Sequence, residues 1–253
     1  MTITTSQTQY GKNEPFDLQV ARGQIPQHTA IFRSAYSASI TNGVEHAVWP
    51  RASTYVFPLV ASVMKLSSSV VGDVGQLVRI AGLDANYLEI DEILILNGQT
   101  AVTSVRSFFR INDMQVLTDS PAGNIYFGTG ALTAGVPANV YGFIAAGDST
   151  QLAAIYTVPA GHELYLYGGS SNATLANANK TVTISFNTII NGVDYRGTRI
   201  QTAGGYQYFP YSPPLKIPAK SDLLDTATTT DTSGPSSVTV NLSGILIQTS
   251  AGY

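Results

Sequence analysis

The stretch Thr181–Thr188, TVTISFNT, decides the fold class because it alternates strictly between apolar and polar residues. Val182, Ile184 and Phe186 are predicted to face a core, and the residues between them solvent, which is the period of two of a half-buried β-strand. Val238–Leu242, VTVNL, repeats this pattern. No amphipathic helical pattern with capping residues accompanies it. The sequence therefore predicts an all-β protein.

The order of strand and turn signals predicts the domain organisation. Strand patterns separated by turn residues begin near residue 28. A Gly-rich, uncharged stretch at 128–137 is interpreted as a linker between two sets of strands. The predicted organisation is an extended N-terminal arm over 1–27, a first β-sandwich domain over 28–136 and a second over 137–253. Both sandwiches are predicted to be jelly-roll-like.

Two short segments are weakly similar to each other: VPAGHEL at 158–164 and IPAKSDL at 217–223. Proline ends β pairing, so a Pro-Ala turn that feeds the next strand is a common way for a chain to cross between two sheets. We therefore expect a sheet crossing at each segment.

The low charge of the chain bears on its function. Charged residues make up 11% of the sequence, against about 25% in an average soluble domain. A surface so poor in charge is covered by neutral polar side chains or is hidden against other subunits. Low charge also reduces the electrostatic repulsion that otherwise opposes association between copies. We favour an assembly subunit over a secreted β-protein with a neutral polar surface.

The composition also argues against several kinds of partner. With 13 Lys plus Arg, a net charge of −3 and no basic run, the chain has no patch to neutralise several phosphates, so no nucleic-acid partner is expected. The N-terminus lacks the apolar core of a signal peptide, and no stretch reaches the length of a membrane helix. Synthesis in the cytoplasm and no membrane partner are expected.

Catalytic and metal motifs are missing as well. There is no cysteine, and the three histidines, His28, His46 and His162, have no metal-ligand spacing. Neither G-x-S-x-G nor the phosphate-binding GxxxxGK[ST] motif occurs. The sequence therefore predicts no catalytic residue, no metal, no cofactor and no enzymatic activity.

The densest acidic patch is Gly82–Thr100, GLDANYLEIDEILILNGQT. Asp84 and Asn86 match the first two ligand positions of a calcium loop, but Leu88 stands at the fifth, where a ligand is required. Gly, Asp and Asn are also the residues that form tight turns. We therefore interpret this stretch as a β-hairpin and not as a cation site.

Within that hairpin, the acidic residues are assigned to a solvated strand face. Glu89 and Asp91 alternate with apolar residues, which predicts that they lie on the outer face of the strand. Glu92 and Ile93 break the alternation, so a β-bulge is predicted there.

Two groups of residues are candidate interface residues. Phe16 and Leu18 are the apolar pair of the N-terminal arm, which is interpreted either as a frayed terminus or as a segment that orders against a neighbour. The other group lies in 206–214, YQYFPYSPP, interpreted as a rigid aromatic loop that caps a core, forms a subunit contact or binds a ligand. Its candidate residues are Tyr206, Tyr208, Phe209 and Tyr211. Trp49 is predicted to lie in a core.

Several segments resemble a family of tailed-bacteriophage virion structural proteins that is common in marine and cyanobacterial phages. These are ARGQIPQHTAIFRSAYS (21–37), TYVFPLVASVMKLSSS (54–69), GLDANYLEIDEILILNGQTAV (82–102) and GTGALTAGVPANVYGFIAAGDSTQLAAIYTVPAGHELYLYGG (128–169). The resemblance rests on the order and spacing of strand and turn segments from about residue 21 to 170, and weakly to the end. It implies a component of the virion, and the family has no catalytic residues to carry over.

The resulting expectation is a non-enzymatic bacteriophage virion structural protein, made in the host cytoplasm and located in the virion. It would be a capsid-decorating or cement subunit, or a ring or fibre subunit at the head–tail junction or tail. Its expected partners are other virion proteins, such as major capsid or tail proteins, and further copies of itself in a homo-oligomer. The alternative is a receptor-binding protein of the virion that recognises a host surface glycan.

Overall fold

The computed structural model describes residues 14–51 and 53–249. Over these residues the all-β prediction is confirmed, with sixteen strands and one short helix. The elements are α1 (Phe16–Ala21), β1 (His28–Ile40), β2 (His46–Ala47), β3 (Ser62–Ser68), β4 (Val74–Leu83), β5 (Glu89–Asn97), β6 (Val102–Phe108), β7 (Arg110–Val116), β8 (Ile125–Thr133), β9 (Val136–Ile144), β10 (Ile155–Thr157), β11 (His162–Thr174), β12 (Val182–Ile190), β13 (Val193–Thr202), β14 (Gly205–Ile217), β15 (Asp222–Thr229) and β16 (Ser236–Gln248).

The strands form four small sheets. Sheet I has the order β1-β16-β11-β14, and sheet II has the order β10-β15-β12-β13 with β2 beside β15. Sheet III has the order β6-β3-β8-β9, and sheet IV the order β5-β4-β7. Sheets I and II thus combine strands from both ends of the described chain, whereas sheets III and IV hold the strands between β2 and β10.

This pairing differs from the sequential grouping of strands. The arrangement is four small sheets and not two clear jelly-roll sandwiches. Strand β1, which the sequence grouped with the first domain, pairs with β16 from His28↔Ile247 onward. The linker predicted at 128–137 is wrong, because these residues form the turn and the adjoining ends of both strands of the β8–β9 hairpin. Gly135 lies in the turn of this hairpin with a φ of 80°, a backbone conformation that favours glycine.

Each pair of sheets encloses its own buried apolar cluster. Sheets III and IV share a cluster drawn from β3 to β9, in which the rings of Phe108 and Phe127 lie 5.4 Å apart. Sheets I and II share another, to which β12 contributes Val182, Ile184 and Phe186. The inward face predicted from the alternation of this strand is therefore confirmed. The solvent exposure predicted for the residues between them is wrong for Ser185, which is 5% exposed because it lies in one row with the buried Thr226 and Ala47.

A third cluster lies where the two pairs of sheets meet. It combines side chains of β2, β8, β9 and β10 with Trp49, which is 1% exposed. The Trp49 ring lies edge-on to Tyr55 with centroids 5.2 Å apart, and its Nε1 donates a hydrogen bond to the Ser53 carbonyl at 3.0 Å. The prediction that Trp49 is a core residue is confirmed.

The extended conformation predicted for the arm is wrong for residues 16–21, which form α1. Pro15 is the N-cap residue of this helix, and its carbonyl accepts the Gln19 amide at 3.1 Å. Gln19 and Val20 are buried. Residues 1–13 of the predicted arm lie outside the described residues. Within the described ranges no helix is long and apolar enough to cross a membrane.

Both Pro-Ala turns connect one sheet to the other, as predicted. The turn after Val158 leads from β10 of sheet II to β11 of sheet I, and the turn after Ile217 leads from β14 of sheet I to β15 of sheet II. The two turns contact each other: the Val158 amide donates to the Ser221 carbonyl at 3.0 Å, and the Lys220 amide donates to the Val158 carbonyl at 2.9 Å.

Asp225 on β15 is a buried acid between sheets I and II. It is 1% exposed, and its Oδ2 has no hydrogen-bond partner among the described residues. Phe186, Tyr211 and Leu242 line the small cavity beside it. Burial raises the pKa of the Asp225 carboxyl well above its usual value, because a low-dielectric interior disfavours the charged form.

We predict that this carboxyl makes the protein less stable as the pH rises. Because its pKa is higher in the native than in the unfolded state, its stabilising contribution is full below the unfolded-state pKa and is lost as the pH rises through the native-state pKa. Asp225→Asn, which cannot ionise, should flatten the pH dependence of the free energy of unfolding, measured by urea denaturation between about pH 5 and pH 9. The exposed Asp119→Asn is the control. Equal pH profiles for wild type and Asp225→Asn would contradict the assignment.

Candidate interaction surface

The outer face of sheet I is defined by the residues that alternate with its buried ones. On β1, Ala35 is buried, whereas Phe32 and Tyr36 are 68% and 39% exposed. On β14, Phe209 is partly buried and Tyr208 is 67% exposed. Since successive side chains of a strand point to opposite faces, Phe32, Tyr36 and Tyr208 lie on the side away from the core.

The strand register aligns these residues in three rows across sheet I. None of the residues in these rows is charged, and the central ones are small or polar. Asn241 Nδ2 donates a hydrogen bond to Ser170 Oγ at 3.2 Å in the middle of the face. We call these three rows the sheet I face: Tyr36, Thr239, Asn172 and Tyr206; Ser34, Asn241, Ser170 and Tyr208; Phe32, Ser243, Gly168 and Pro210.

The predicted aromatic loop is an edge strand, β14, which divides its aromatic residues between two faces. Tyr206 and Tyr208 point outward and are 66% and 67% exposed. Phe209 points inward, with its ring 4.6 Å from that of Phe186. The prolines obscured this strand in the sequence, although proline is tolerated in edge strands.

Tyr211, the second inward aromatic residue of β14, is partly buried against a second apolar cluster between sheets I and II, which includes Leu164 and Leu223. Its hydroxyl donates to Thr198 Oγ1 at 3.2 Å, and burial raises the pKa of this hydroxyl. Of the alternatives raised from the sequence, core packing therefore applies to Phe209 and Tyr211, whereas Tyr206 and Tyr208 remain open to a partner.

The other predicted interface residues, Phe16 and Leu18, lie on α1 and are 48% and 46% exposed. The Phe16 ring packs edge-on against His28 with centroids 5.8 Å apart. These two side chains are not part of the sheet I face. A role for them in subunit contacts stays a prediction.

The acidic stretch forms the predicted hairpin, β4–β5. Asp84 Oδ1 accepts hydrogen bonds from the amides of Asn86 at 2.8 Å and Leu88 at 2.9 Å, which closes the turn. Glu89 and Asp91 are exposed on the outer face, as predicted. No group of three or more His, Asp or Glu side chains in the described part of the chain is placed to hold a metal ion.

The bulge predicted at Glu92 and Ile93 is wrong. The pairing of β4 with β5 runs without a register shift from Leu77↔Ile95 to Leu83↔Glu89. Glu92 points inward at the rim of the sheet, where its carboxylate accepts hydrogen bonds from the amides of Val105 at 2.9 Å and Arg106 at 3.0 Å. The apparent break in the pattern arises because this inward residue binds the backbone of another sheet.

The uninterrupted alternation places an apolar surface on sheet IV that the sequence reading missed. Ile93, Ile95 and Leu117 are 52%, 58% and 44% exposed. Leu77 lies beside Ile95 in the β4–β5 pairing, and its carbonyl accepts the Leu117 amide at 2.8 Å. We call these four residues the sheet IV patch. Continuing the period of two through Glu92 would have located it.

The charged end of the same hairpin borders a cleft of about 400 Å³ between sheet IV and β1. Arg33 on β1 lies 3.5 Å from Asp113 on β7 and stacks over the Tyr156 ring at 4.8 Å. Burial raises the pKa of the Asp113 carboxyl, while nearby Arg33 lowers it. Arg79 pairs with Asp91 at 3.6 Å. Both arginines of the cleft, Arg33 and Arg79, are thus paired with an acidic residue, and the Arg33–Asp113 contact links sheet I to sheet IV.

A buried ion pair joins sheet IV to sheet II nearby. Arg110 on β7 contacts Asp222 on β15 through two hydrogen bonds, from Nε at 2.8 Å and from Nη2 at 2.9 Å. Both side chains are 8% exposed. The Thr157 hydroxyl donates to Asp222 at 2.5 Å, and the Phe109 ring lies 4.0 Å from the guanidinium. The pair is therefore buried, and hydrogen bonds hold both of its partners.

Comparisons with known proteins identify no family. No family model matches the chain, and no curated protein matches it. Among solved structures, the VP2 subviral particle of infectious bursal disease virus is similar with a TM-score of 0.24 and 10% identity, over 90% of this chain and 74% of that one. The structure of the Gt strain of that virus is similar with a TM-score of 0.24 and 13% identity, over 95% of this chain and 79% of that one. TM-scores this low do not establish a shared fold or a shared function.

We predict that removing one partner of the buried ion pair strongly destabilises the protein. Asp222→Asn leaves the Arg110 charge buried without a counter-charge and should lower the free energy of unfolding by about 3–5 kcal/mol. Replacing both partners with apolar residues, Arg110→Met with Asp222→Leu, should cost much less than the two single changes together. Urea denaturation measures all variants. Arg79→Met, in an exposed pair, is the control and should cost less than about 1 kcal/mol.

Glu92→Ala is expected to destabilise the contact between sheets III and IV. It removes the acceptor of two backbone amides, which should lower the free energy of unfolding by about 1–2 kcal/mol. Glu89→Ala, on the outer face of the same strand, should change it by less than about 0.5 kcal/mol. Thermal and urea unfolding compare the two variants, and equal effects would rule out the bridging role of Glu92.

Proposed function

We propose that this chain is a non-enzymatic structural subunit of a tailed-bacteriophage virion that self-associates through sheet IV. The observation that carries the proposal is the sheet IV patch, where Leu77, Ile93, Ile95 and Leu117 form a continuous apolar surface beside the edge strand β5. Contiguous exposed apolar surface of this kind is typical of protein–protein contacts. An edge strand also offers unpaired backbone groups to a neighbour.

The composition and the sequence resemblance support the same role. A charged content of 11% is low for a protein that stays monomeric in solution. The segments at 21–37, 54–69, 82–102 and 128–169 resemble tailed-phage virion proteins. Within the virion, a capsid-decorating or cement subunit, or a ring or fibre subunit at the head–tail junction or tail, fits an all-β chain with an apolar contact surface. Other virion proteins are its proposed partners.

We also infer that sheets I and II form one jelly roll into which sheets III and IV are inserted. In chain order, the eight main strands of sheets I and II are β1 and β10 to β16. The first pairs with the last, β10 with β15, β11 with β14, and β12 with β13. A long hairpin of strand pairs rolled into two sheets has this pairing, and it is the arrangement of a jelly roll. The insertion lies between β2 and β10.

The self-association is tested by the solution mass. The wild-type chain is expected to form an oligomer in light scattering, and Ile93→Asp with Ile95→Asp should reduce it to monomers, because two buried carboxylates cannot be desolvated in the contact. Asn97→Asp adds a charge to the same strand at a polar position and should leave the oligomer intact. A wild-type monomer at every concentration, or an oligomer unaffected by the double substitution, would refute this interface.

The alternative function, recognition of a host surface glycan, is favoured by a different observation, the uncharged sheet I face.

A further inference from the structure

We propose that the sheet I face is a binding site for a neutral glycan, with Tyr206, Tyr208 and Tyr36 as stacking platforms and Asn241, Asn172 and Ser170 as hydrogen-bonding groups between them. This inference goes beyond the assembly role, because it concerns a different sheet and a different kind of ligand.

The shape of the face follows from the register of sheet I. The two outer strands, β1 and β14, carry the exposed aromatic rings, and the two central strands, β16 and β11, carry Ser, Thr and Asn. Neighbouring strands lie about 4.8 Å apart, so the aromatic margins are separated by about 14 Å. Long side chains at both margins and short ones between them make a shallow trough.

The chemistry of the trough suits a sugar. One face of a pyranose ring is made of C–H groups and packs on an aromatic ring, while its hydroxyls need donors and acceptors. Tyr206 and Tyr208 provide rings that are 66% and 67% exposed, and tyrosine combines an apolar ring with a polar end. Amides such as Asn241 offer both donors and an acceptor. The hydrogen bond from Asn241 to Ser170 at 3.2 Å orients the Asn241 amide at the base of the trough before a ligand binds.

The absence of charge from the three rows decides the class of glycan. Arg33, the charged residue of β1 nearest to the face, alternates with Phe32 and Ser34 and pairs with Asp113 in the cleft. The ion pair of Lys216 with Glu163 lies at the other end of β11 and β14. With no cation on the face, a sulfated or uronic-acid polymer would lose its hydration without a counter-charge. A neutral oligosaccharide loses less hydration free energy on binding.

The same arrangement argues against a second copy of the chain as the occupant. Protein–protein contacts usually have an apolar centre and a polar rim. The sheet I face has the reverse order, since Asn241, Ser170 and Thr239 form its centre and the aromatic rings its margins. The sheet IV patch, with its apolar centre, is the surface suited to another copy.

The test is a titration of the purified full chain with a panel of neutral hexasaccharides, namely cello-, malto-, xylo-, manno- and chito-hexaose, by calorimetry. We expect saturable binding of at least one of them. Tyr206→Ala with Tyr208→Ala should weaken that binding by about tenfold or more, because truncating aromatic contact residues commonly has effects of this size. Asn241→Ala should weaken it too. Tyr195→Ala changes a tyrosine of sheet II that is 55% exposed; it is the matched control and should bind like the wild type.

Several outcomes would overturn the proposal: no binding of any hexasaccharide, binding unchanged by the tyrosine substitutions, or preference for an acidic oligosaccharide such as a hyaluronan hexamer. A loss of the oligomer on Tyr206→Ala with Tyr208→Ala would also overturn it, since a second copy would then occupy the face. Both tyrosines are exposed, so thermal unfolding of the double variant should match the wild type. The Ile93→Asp, Ile95→Asp variant should keep its glycan affinity, which separates this test from that of self-association.

Discussion

The buried contact of Arg110 with Asp222 is the interaction on which the rest of the arrangement depends. Burying two charges costs more than it returns unless both are held in good geometry, and here the Thr157 hydroxyl and the Phe109 ring hold them. Arg110 belongs to β7 of sheet IV, and Asp222 begins β15 of sheet II. The ion pair therefore fixes how the two pairs of sheets meet, and the Trp49 cluster packs at the same junction.

The two candidate surfaces lie on different pairs of sheets and differ in chemistry. The sheet IV patch is apolar and flanks an edge strand, whereas the sheet I face is polar at its centre and aromatic at its margins. A particle subunit needs one surface for its neighbours and can present another to its surroundings. The ion pair and the Arg33–Asp113 contact both link the two pairs of sheets that carry these surfaces.

Local sequence patterns predicted the parts of the fold that depend on neighbouring residues. The inward residues of 181–188, the Asp84 turn and the Pro-Ala crossings all follow from backbone chemistry within a few residues, and each is present. The predictions failed where a distant group sets the role of a residue. Glu92 looks like a break in β5 because its partners are amides of β6. The segment of β14 looks like a loop because prolines are rare in strands, and only the tertiary structure shows that this strand lies at a sheet edge, where they are tolerated.

The sequence by itself determined the all-β class, the hairpin at the acidic stretch and the residues that face inward on several strands. Only the tertiary structure decided which strands are neighbours, and therefore that Tyr36 and Tyr206, far apart in the chain, share one row of the sheet I face. The physical reason is that a period of two tells which side of a strand a residue occupies but not which strand lies beside it. That choice depends on long-range pairing and on buried contacts such as the one between Arg110 and Asp222.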